Sequence, residues 1–402
     1  MSDGVRDGVE IVNRWPDATS WTDTVVQETY VDPLNLEQFW YQWYLDGFVS
    51  AGHGKLKCVV GRPGSGKTHF LRHLGLVASS KGFQVAHIDA GLIKIAAIED
   101  LYRVVAQQMD WDGLLGRTLK RVIQEDLGYL EFDDAPRAFI RWGEAARQLL
   151  PNLLRRDLRE AIDHHLRSVD WHPDFAMGVR SWMLEQVSEV PTGDSAAIAW
   201  LRGEKLGASQ RKAVGAAANI NRRNARPCLT SLASLAHLAF GQGLVLLIDN
   251  TEVMASATRT DNQPYYTRSA RDQAYEMLRQ LIDESPFTPY LMTIVAGDED
   301  PLTNARTGFP SYPALWARLE TEVQSTKPNL FADFVSLDRL WDADGSAADH
   351  LGMTWQKISA NWWTDSAPAD ELGLGGLGLE WGWPRRLLVE LWNRAAEKGS
   401  DA

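Results

Sequence analysis

The chain has 402 residues, of which 45% are hydrophobic and 23% are charged, and its formal net charge is -12. This apolar content suffices for a sizeable core and excludes a wholly disordered chain. The negative charge opposes general attraction to DNA, RNA or anionic membranes, so any nucleic-acid contact must be local. The length predicts one large domain with insertions and a smaller accessory part.

The sequence shows neither a secretory signal pattern nor a run of 18 apolar residues, and it has only two cysteines, Cys58 and Cys228. These observations predict a cytoplasmic protein without a membrane span or a disulfide framework. The 17 tryptophans are scattered singly or in pairs. This scatter favours packing in the core over a platform for stacking bases, the alternative use of so many indole rings.

The first predicted elements alternate between strand and helix. Residues 1–30 are polar and aperiodic, and a helix is expected over 33–49. A valine-rich strand, 56–60, precedes a glycine-rich segment and a helix over 69–79. A second strand, 83–88, and an amphipathic helix, 98–109, follow. Between 113 and 242 the pattern is helical without a convincing strand, which predicts a helical insertion.

The second half returns to alternating strands and helices. Residues 243–249 are a continuous apolar run that ends in Asp249, as expected for a strand buried on both faces of a parallel sheet. Helices over 270–282 and 312–320 alternate with strands over 290–296 and 331–337. The whole pattern predicts a doubly wound α/β fold. Its parts are an N-terminal extension (1–50), a core in two pieces (51–112 and 243–342), the insertion (113–242) and a C-terminal helical lid (343–402).

The glycine-rich segment, residues 61–68, matches G-x-x-x-x-G-K-[ST]. A preceding strand and a following helix are the context that identifies a P-loop. Its backbone N–H groups face phosphates, Lys67 adds a positive charge, and Thr68 offers a hydroxyl to Mg²⁺. The sequence therefore predicts a site for ATP with Mg²⁺. The predicted nucleotide-binding residues are Gly61, Pro63, Gly64, Ser65, Gly66, Lys67, Thr68 and His69.

Asp249 stands where a carboxylate can hold Mg²⁺ through water, and with Thr68 it forms the predicted metal pair. The alternative is an ordinary turn residue at the end of a strand. The next residue is Asn250, an amide that can orient water but cannot accept its proton. Glu252 stands two positions further on. We expect slow hydrolysis, with Asp249, Asn250 and Glu252 as catalytic candidates.

Three further residues are weighed for contact with the γ-phosphate. Asp298 follows the strand 290–296, but repulsion between a carboxylate and phosphate oxygens favours a solvated turn at this position. Arg318 and Arg385 are candidates for a cation that reaches the γ-phosphate, either within the chain or from a neighbouring subunit. An ordinary surface position is the alternative for each arginine.

Residues 202–226 hold seven basic residues and one acidic residue, Glu204. Such local positive charge in an acidic chain can contact DNA phosphates or an acidic partner. The alternative is a solvated helical face whose arginines pair with acidic residues of the insertion. The basic residues are Arg202, Lys205, Arg211, Lys212, Arg222, Arg223 and Arg226.

Four segments carry a resemblance to a known family: GSGKTHFL at 64–71, AWLRGE at 199–204, GLVLLID at 243–249 and SYPALW at 311–316. With these segments the chain resembles the ATP-binding proteins of the BREX anti-phage systems, which have a P-loop, AAA+-like ATPase domain. The resemblance implies a cytoplasmic ATPase that acts with other defence-system proteins, near DNA, and assembles as a homo-oligomer.

The chain departs from this family where such proteins usually carry an Asp-Glu pair, because here the pair is Asp249-Asn250. The departure leaves two functions open. One is an ATPase whose cycle remodels or moves a protein or DNA partner. The other is an ATP-gated adaptor, in which ATP is a structural ligand that closes the lid. A small-molecule kinase is disfavoured because no second substrate pocket is recognisable.

Overall fold

The computed structural model of the protein describes residues 22–188, 195–323 and 327–343. Its strands are β1 (Lys55–Val60), β2 (Gln84–Asp89), β3 (Leu244–Asp249), β4 (Leu291–Gly297) and β5 (Phe334–Ser336). They form one sheet in the order β2–β3–β4–β1–β5, and all neighbours are parallel. β4 therefore separates β1, which leads into the P-loop, from β3, which ends at Asp249.

Helices cover both faces of this sheet, and the predicted α/β fold with a parallel sheet is confirmed. In chain order they are α1 (Asp23–Thr29), α2 (Leu36–Trp40), α3 (Lys67–Ser80), α4 (Ile98–Gln108), α5 (Trp111–Arg121), α6 (Phe139–Arg147), α7 (Pro151–Ser168), α8 (Pro173–Gln186), α9 (Ala196–Leu201), α10 (Ala208–Val214), α11 (Ala225–Phe240), α12 (Arg268–Glu284), α13 (Asp300–Thr303), α14 (Pro313–Val323) and α15 (Leu337–Ala343). α2 continues directly as a π-helix, Tyr41–Val49.

Successive residues of a strand point to opposite faces of the sheet, and β3 shows how this divides the core. Val245 and Leu247 join an apolar cluster with α2, α3 and α15. Leu244, Leu246 and Ile248 join a larger cluster with α4, α5, α11 and α12. Every residue of β3 and β4 is buried, as expected for central strands covered on both faces.

The predicted strands agree with β1 to β4 within one residue at each end, but the last strand is shorter than predicted. The prediction covered 331–337, whereas β5 covers Phe334–Ser336. The carbonyl oxygens of Phe331 and Ala332 instead accept hydrogen bonds from Lys57 Nζ, both at 2.8 Å. Leu337 already begins α15. A side chain on the neighbouring strand thus takes the carbonyl groups that an extended β5 would need.

Lys57 is a fully buried cation in the middle of β1. Besides the two carbonyl groups, it meets the Asp333 carboxylate at 3.2 Å and lies 3.9 Å from the centre of the Tyr44 ring. Burial is the main cause that lowers the pKa of Lys57 to about 8, although Asp333 opposes the change. The ammonium group therefore joins β1, the segment before β5 and the π-helix.

The predicted insertion is helical, since its described residues, 113–188 and 195–242, contain no strand. α5 begins at Trp111, before the predicted start, and α11 contacts β3 and α4 in the layer that covers the sheet. Trp111, Trp182 and Trp200 are buried in the same cluster as the sheet, so these tryptophans serve as core residues.

Residues 1–21 and 344–402 lie outside the described ranges. The predicted lid, 343–402, falls outside the described residues except for Ala343. At the other end, α1 forms within the stretch 1–30 that was expected to lack regular structure, and it contacts α3. Cys58 and Cys228 are unpaired. Among the described ranges, no helix is both long and apolar enough to cross a membrane.

Candidate nucleotide-binding site

The P-loop lies between β1 and α3, at the edge of the sheet where the strands end. Gly64 and Gly66 have positive φ values of 90° and 97°, which residues with a Cβ atom rarely adopt. Pro63 is exposed at the tip, whereas Ser65 is buried and its hydroxyl oxygen has no hydrogen-bond partner among the described residues. α3 begins at Lys67, so the N-terminus of a long helix faces the loop, which favours phosphate binding.

Lys67 folds back across the loop instead of extending into solvent. Its ammonium group donates to Gly61 O at 2.8 Å and to Arg62 O at 3.1 Å. It also forms an ion pair with Asp298 Oδ1 at 2.8 Å. The residue is only 7% exposed. The structure therefore places the predicted phosphate-binding cation inside the loop, paired with a carboxylate from the end of β4.

Asp249 lies at the end of β3 and is 1% exposed. One carboxylate oxygen accepts the Asn250 N–H at 2.9 Å, while Oδ2 is buried without a hydrogen-bond partner in the described chain. Burial raises the pKa of Asp249, and the nearby Thr68 side chain opposes this rise. The structure thus brings the predicted pair Thr68 and Asp249 together. Hydroxyl and carboxylate oxygens are ligands that suit Mg²⁺.

Asn250 is not directed toward Lys67. Its side-chain Nδ2 donates to Asp89 Oδ1 at 2.8 Å, which joins the ends of β3 and β2. Its backbone is left-handed, with φ 57°, a conformation that asparagine tolerates better than most residues with a side chain. Local geometry therefore explains an asparagine here, and the predicted role of orienting water is not supported by the position of its amide.

Glu252 lies in a 3₁₀ turn that follows β3, and its side chain is directed toward the end of β4. Its Oε2 accepts the Asp298 backbone N–H at 3.2 Å. Burial, followed by the charge of Asp298, raises the pKa of Glu252 to about 7, and the nearby Lys67 opposes the rise. The catalytic candidate Glu252 is thus a partly buried carboxylate whose protonation changes near neutral pH.

Asp298 has a larger part in this site than its sequence position predicted. The expectation favoured a solvated turn, but the Asp298 carboxylate pairs with Lys67 and its N–H binds Glu252. Its position directly after a buried strand could have indicated a place in the site, because the carboxyl ends of parallel strands meet at one edge of a sheet. The missing information was the strand order, which places β4 beside β1.

The remaining predicted residues do not meet at this site. His69 Nε2 lies 3.0 Å from Val26 O and 3.3 Å from Thr29 Oγ1, so its ring faces α1. Arg318 lies at the opposite edge of the sheet, where it shares a cavity with Lys55 and forms hydrogen bonds to Asp283, both at 2.9 Å. Arg318 is thus not beside the P-loop of its own chain, and its contact with a neighbouring subunit's nucleotide stays a prediction. Arg385 lies outside the described residues.

The basic stretch divides into paired and unpaired cations. Arg222 pairs with Glu99 at 3.3 Å and donates to Gln273, and Arg226 pairs with Glu284. These two arginines do pair with acidic residues, but Glu99 and Glu284 belong to the core pieces and not to the insertion, as the alternative had assumed. Five cations form no ion pair with a described residue, and four of them are exposed while Arg211 is half-buried. These five, the unpaired cations, are Arg202, Lys205, Arg211, Lys212 and Arg223.

Comparison with known proteins gives one match. A family model described as "BREX system ATP-binding protein BrxC/D" matches residues 46–347. The matched region contains all five strands, the P-loop and the charged groups around it. Neither the curated proteins nor the solved structures gave a match to the chain.

Proposed function

Because the chain belongs to the family of BREX system ATP-binding proteins, we propose that it is an AAA+-like P-loop ATPase that acts with other proteins in anti-phage defence. The strand order supports the AAA+-like assignment, since β4 stands between the P-loop strand and the strand of Asp249. The proposal includes a cytoplasmic location. It also includes a homo-oligomer, in which Arg318 or Arg385 would reach a neighbouring subunit's nucleotide.

The observation that carries the ATPase proposal is the meeting of charged groups from three neighbouring strands. Lys67 follows β1, Asp298 follows β4, and Asp249 and Glu252 follow β3. Lys67 and Asp298 are in direct contact, and Asp298 in turn binds Glu252. These positions support a site in which Lys67 would bind a phosphate, Asp249 would hold a metal ion and Glu252 would act as a base.

The residues of this loop have separate tasks. The N–H groups at the start of α3 and the Lys67 ammonium group would bind the phosphates of the nucleotide. Thr68 and Asp249 would hold Mg²⁺, which when bound neutralises charge on the phosphate oxygens. Lys67 must leave Asp298 to reach a phosphate, so nucleotide and Asp298 compete for the same cation.

Glu252 is the residue that we propose as general base for the attacking water. A base works best when its pKa lies near the operating pH, and the pKa of Glu252 is about 7. Asn250 cannot take this role because an amide does not accept a proton and because its Nδ2 is bound to Asp89. The asparagine after Asp249 is thus compatible with hydrolysis that depends on a carboxylate two residues later.

Single-turnover phosphate release tests the assignment, with a fluorescent ATP analogue as the probe of binding. We expect Lys67→Ala to lose most of the binding. Glu252→Gln should keep binding and slow release by about 10²- to 10⁴-fold, the usual contribution of general base catalysis. Asn250→Ala is the matched control and should slow release much less. Equal release by Glu252→Gln and the wild type would refute the proposed base.

A second candidate, the ATP-gated adaptor, is favoured by the absence of a carboxylate at position 250. It predicts binding that requires Lys67 without phosphate release by the wild type. In either case, the unpaired cations are the surface that we propose for an acidic protein partner or DNA. Their charge is not neutralised by described residues, so it remains available to a partner.

A further inference from the structure

Two buried side chains of α15 contact the outer side of the P-loop. β5 lies beside β1, so α15 begins next to the point where the P-loop begins. Asp338 and Trp341 stand three residues apart on α15 and therefore share one face of the helix. They are 7% and 6% exposed. The sequence pattern had predicted no role for either residue.

Asp338 contacts the beginning of the loop. Its Oδ2 accepts the Arg62 backbone N–H at 2.6 Å, and its Oδ1 lies 3.3 Å from Arg62 Nε. The Arg62 N–H and the Gly61 carbonyl belong to one peptide plane, and in a trans peptide the two groups point in opposite directions. With its N–H held by Asp338 outside the loop, this plane directs Gly61 O inward, where it accepts from Lys67.

Trp341 contacts the end of the loop in the same manner. Its Nε1 donates to Ser65 O at 3.2 Å. The Ser65 carbonyl and the Gly66 N–H belong to the same trans peptide bond and therefore point in opposite directions. Because Trp341 holds the carbonyl on the outer side of the loop, the Gly66 N–H points toward the inner side. Because Gly66 has no Cβ atom, this plane would otherwise rotate at little steric cost.

We infer that Asp338 and Trp341 are positioning residues for the nucleotide: from outside the P-loop they fix the two peptide planes whose inner groups hold Lys67 and face the phosphates. This inference rests on the proposed nucleotide site. The two residues touch no phosphate themselves and act through the loop. Their effect is greatest on the affinity of the free protein for nucleotide, because the loop is oriented before the nucleotide arrives.

The test measures the affinity for a fluorescent ATP analogue and the turnover at saturating ATP. Trp341→Phe removes the donor and keeps most of the ring, and Asp338→Ala removes the acceptor. A hydrogen bond of ordinary strength predicts a loss of affinity of about 3- to 10-fold for each. Turnover at saturation should change by less than about twofold. Asp338→Asn keeps an acceptor for the Arg62 N–H and should bind more tightly than Asp338→Ala.

Matched controls separate positioning from general destabilisation. Trp200→Phe removes another buried indole hydrogen bond, to Ala218 O at 3.0 Å in the insertion. Asp342→Ala removes an exposed carboxylate from α15. Both should bind nucleotide as the wild type does, even if the melting temperature falls. Affinity unchanged in Trp341→Phe and Asp338→Ala would overturn the inference, and so would an equal loss in the controls. Binding that survives Lys67→Ala would instead overturn the proposed nucleotide site.

Discussion

Replacing Asp298 with Asn should increase the affinity for ATP. The Lys67–Asp298 ion pair, at 2.8 Å with side chains 8% and 21% exposed, must break before Lys67 can bind a phosphate. A net hydrogen bond to a charged group is worth about 1.5–3 kcal/mol, and the partial exposure of Asp298 favours the lower end. At about 1.4 kcal/mol per factor of ten, the release of Lys67 strengthens binding by about tenfold. The loss of a negative charge beside the phosphates acts in the same direction.

The assay is titration of a fluorescent ATP analogue at fixed Mg²⁺ and moderate salt. Asp300→Asn is the control, because Asp300 is an exposed carboxylate two residues later, and its affinity should match the wild type. Weaker or unchanged binding by Asp298→Asn would refute the competition between Asp298 and nucleotide. Weaker binding would mean that Asp298 contributes more to the bound state than to the free state.

Three further predictions follow from the site, the buried lysine and the unpaired cations. The ratio kcat/KM should rise with pH through about 7, where Glu252 loses its proton, and this step should disappear in Glu252→Gln. Burial of the charged Lys57 ammonium group destabilises the folded protein, and this effect is complete below the folded-state pKa of about 8. The destabilisation decreases as the pH rises from there toward the unfolded-state pKa of about 10.4. In urea unfolding, the stability of the wild type relative to Lys57→Met should therefore increase between about pH 8 and 10, and a parallel pH dependence of both proteins would contradict this. If the protein binds DNA, Lys205→Ala with Arg223→Ala should reduce the slope of log affinity against log salt by about 2, whereas the paired Arg222 should contribute little. No measurable DNA binding at low salt would leave an acidic protein partner for this surface.

Local sequence patterns predicted much of the fold because they reflect burial directly. The run at 243–249 is apolar at nearly every position, and β3 is buried on both faces. The P-loop pattern likewise predicted Lys67 and Thr68 from their place between a strand and a helix, and the apolar run predicted Asp249 from its place at the end of a strand. These features depend only on residues that are adjacent in sequence, so one sequence is enough to predict them.

Features that depend on contacts between distant segments were not predictable in this way. The shortening of β5 results from a lysine on another strand that takes the carbonyl groups of Phe331 and Ala332. The contact of Asp298 with Lys67 requires β4 to lie beside β1. The distance of Arg318 from the P-loop follows from the direction of α14, which periodicity does not give. The first two cases needed the order of strands in the sheet, and the third needed the direction of a helix.

The strand order has a consequence for how the protein is made. β1 leaves the ribosome early, but its two neighbours, β4 and β5, begin only at Leu291 and Phe334. β2 waits in the same way for β3, which begins at Leu244. The helices of the insertion can form local contacts during this interval, whereas strand pairs so distant in sequence form slowly. A nascent chain that stops before Leu291 therefore carries the entire P-loop sequence and still lacks the neighbouring strand that holds this loop in a nucleotide-binding shape.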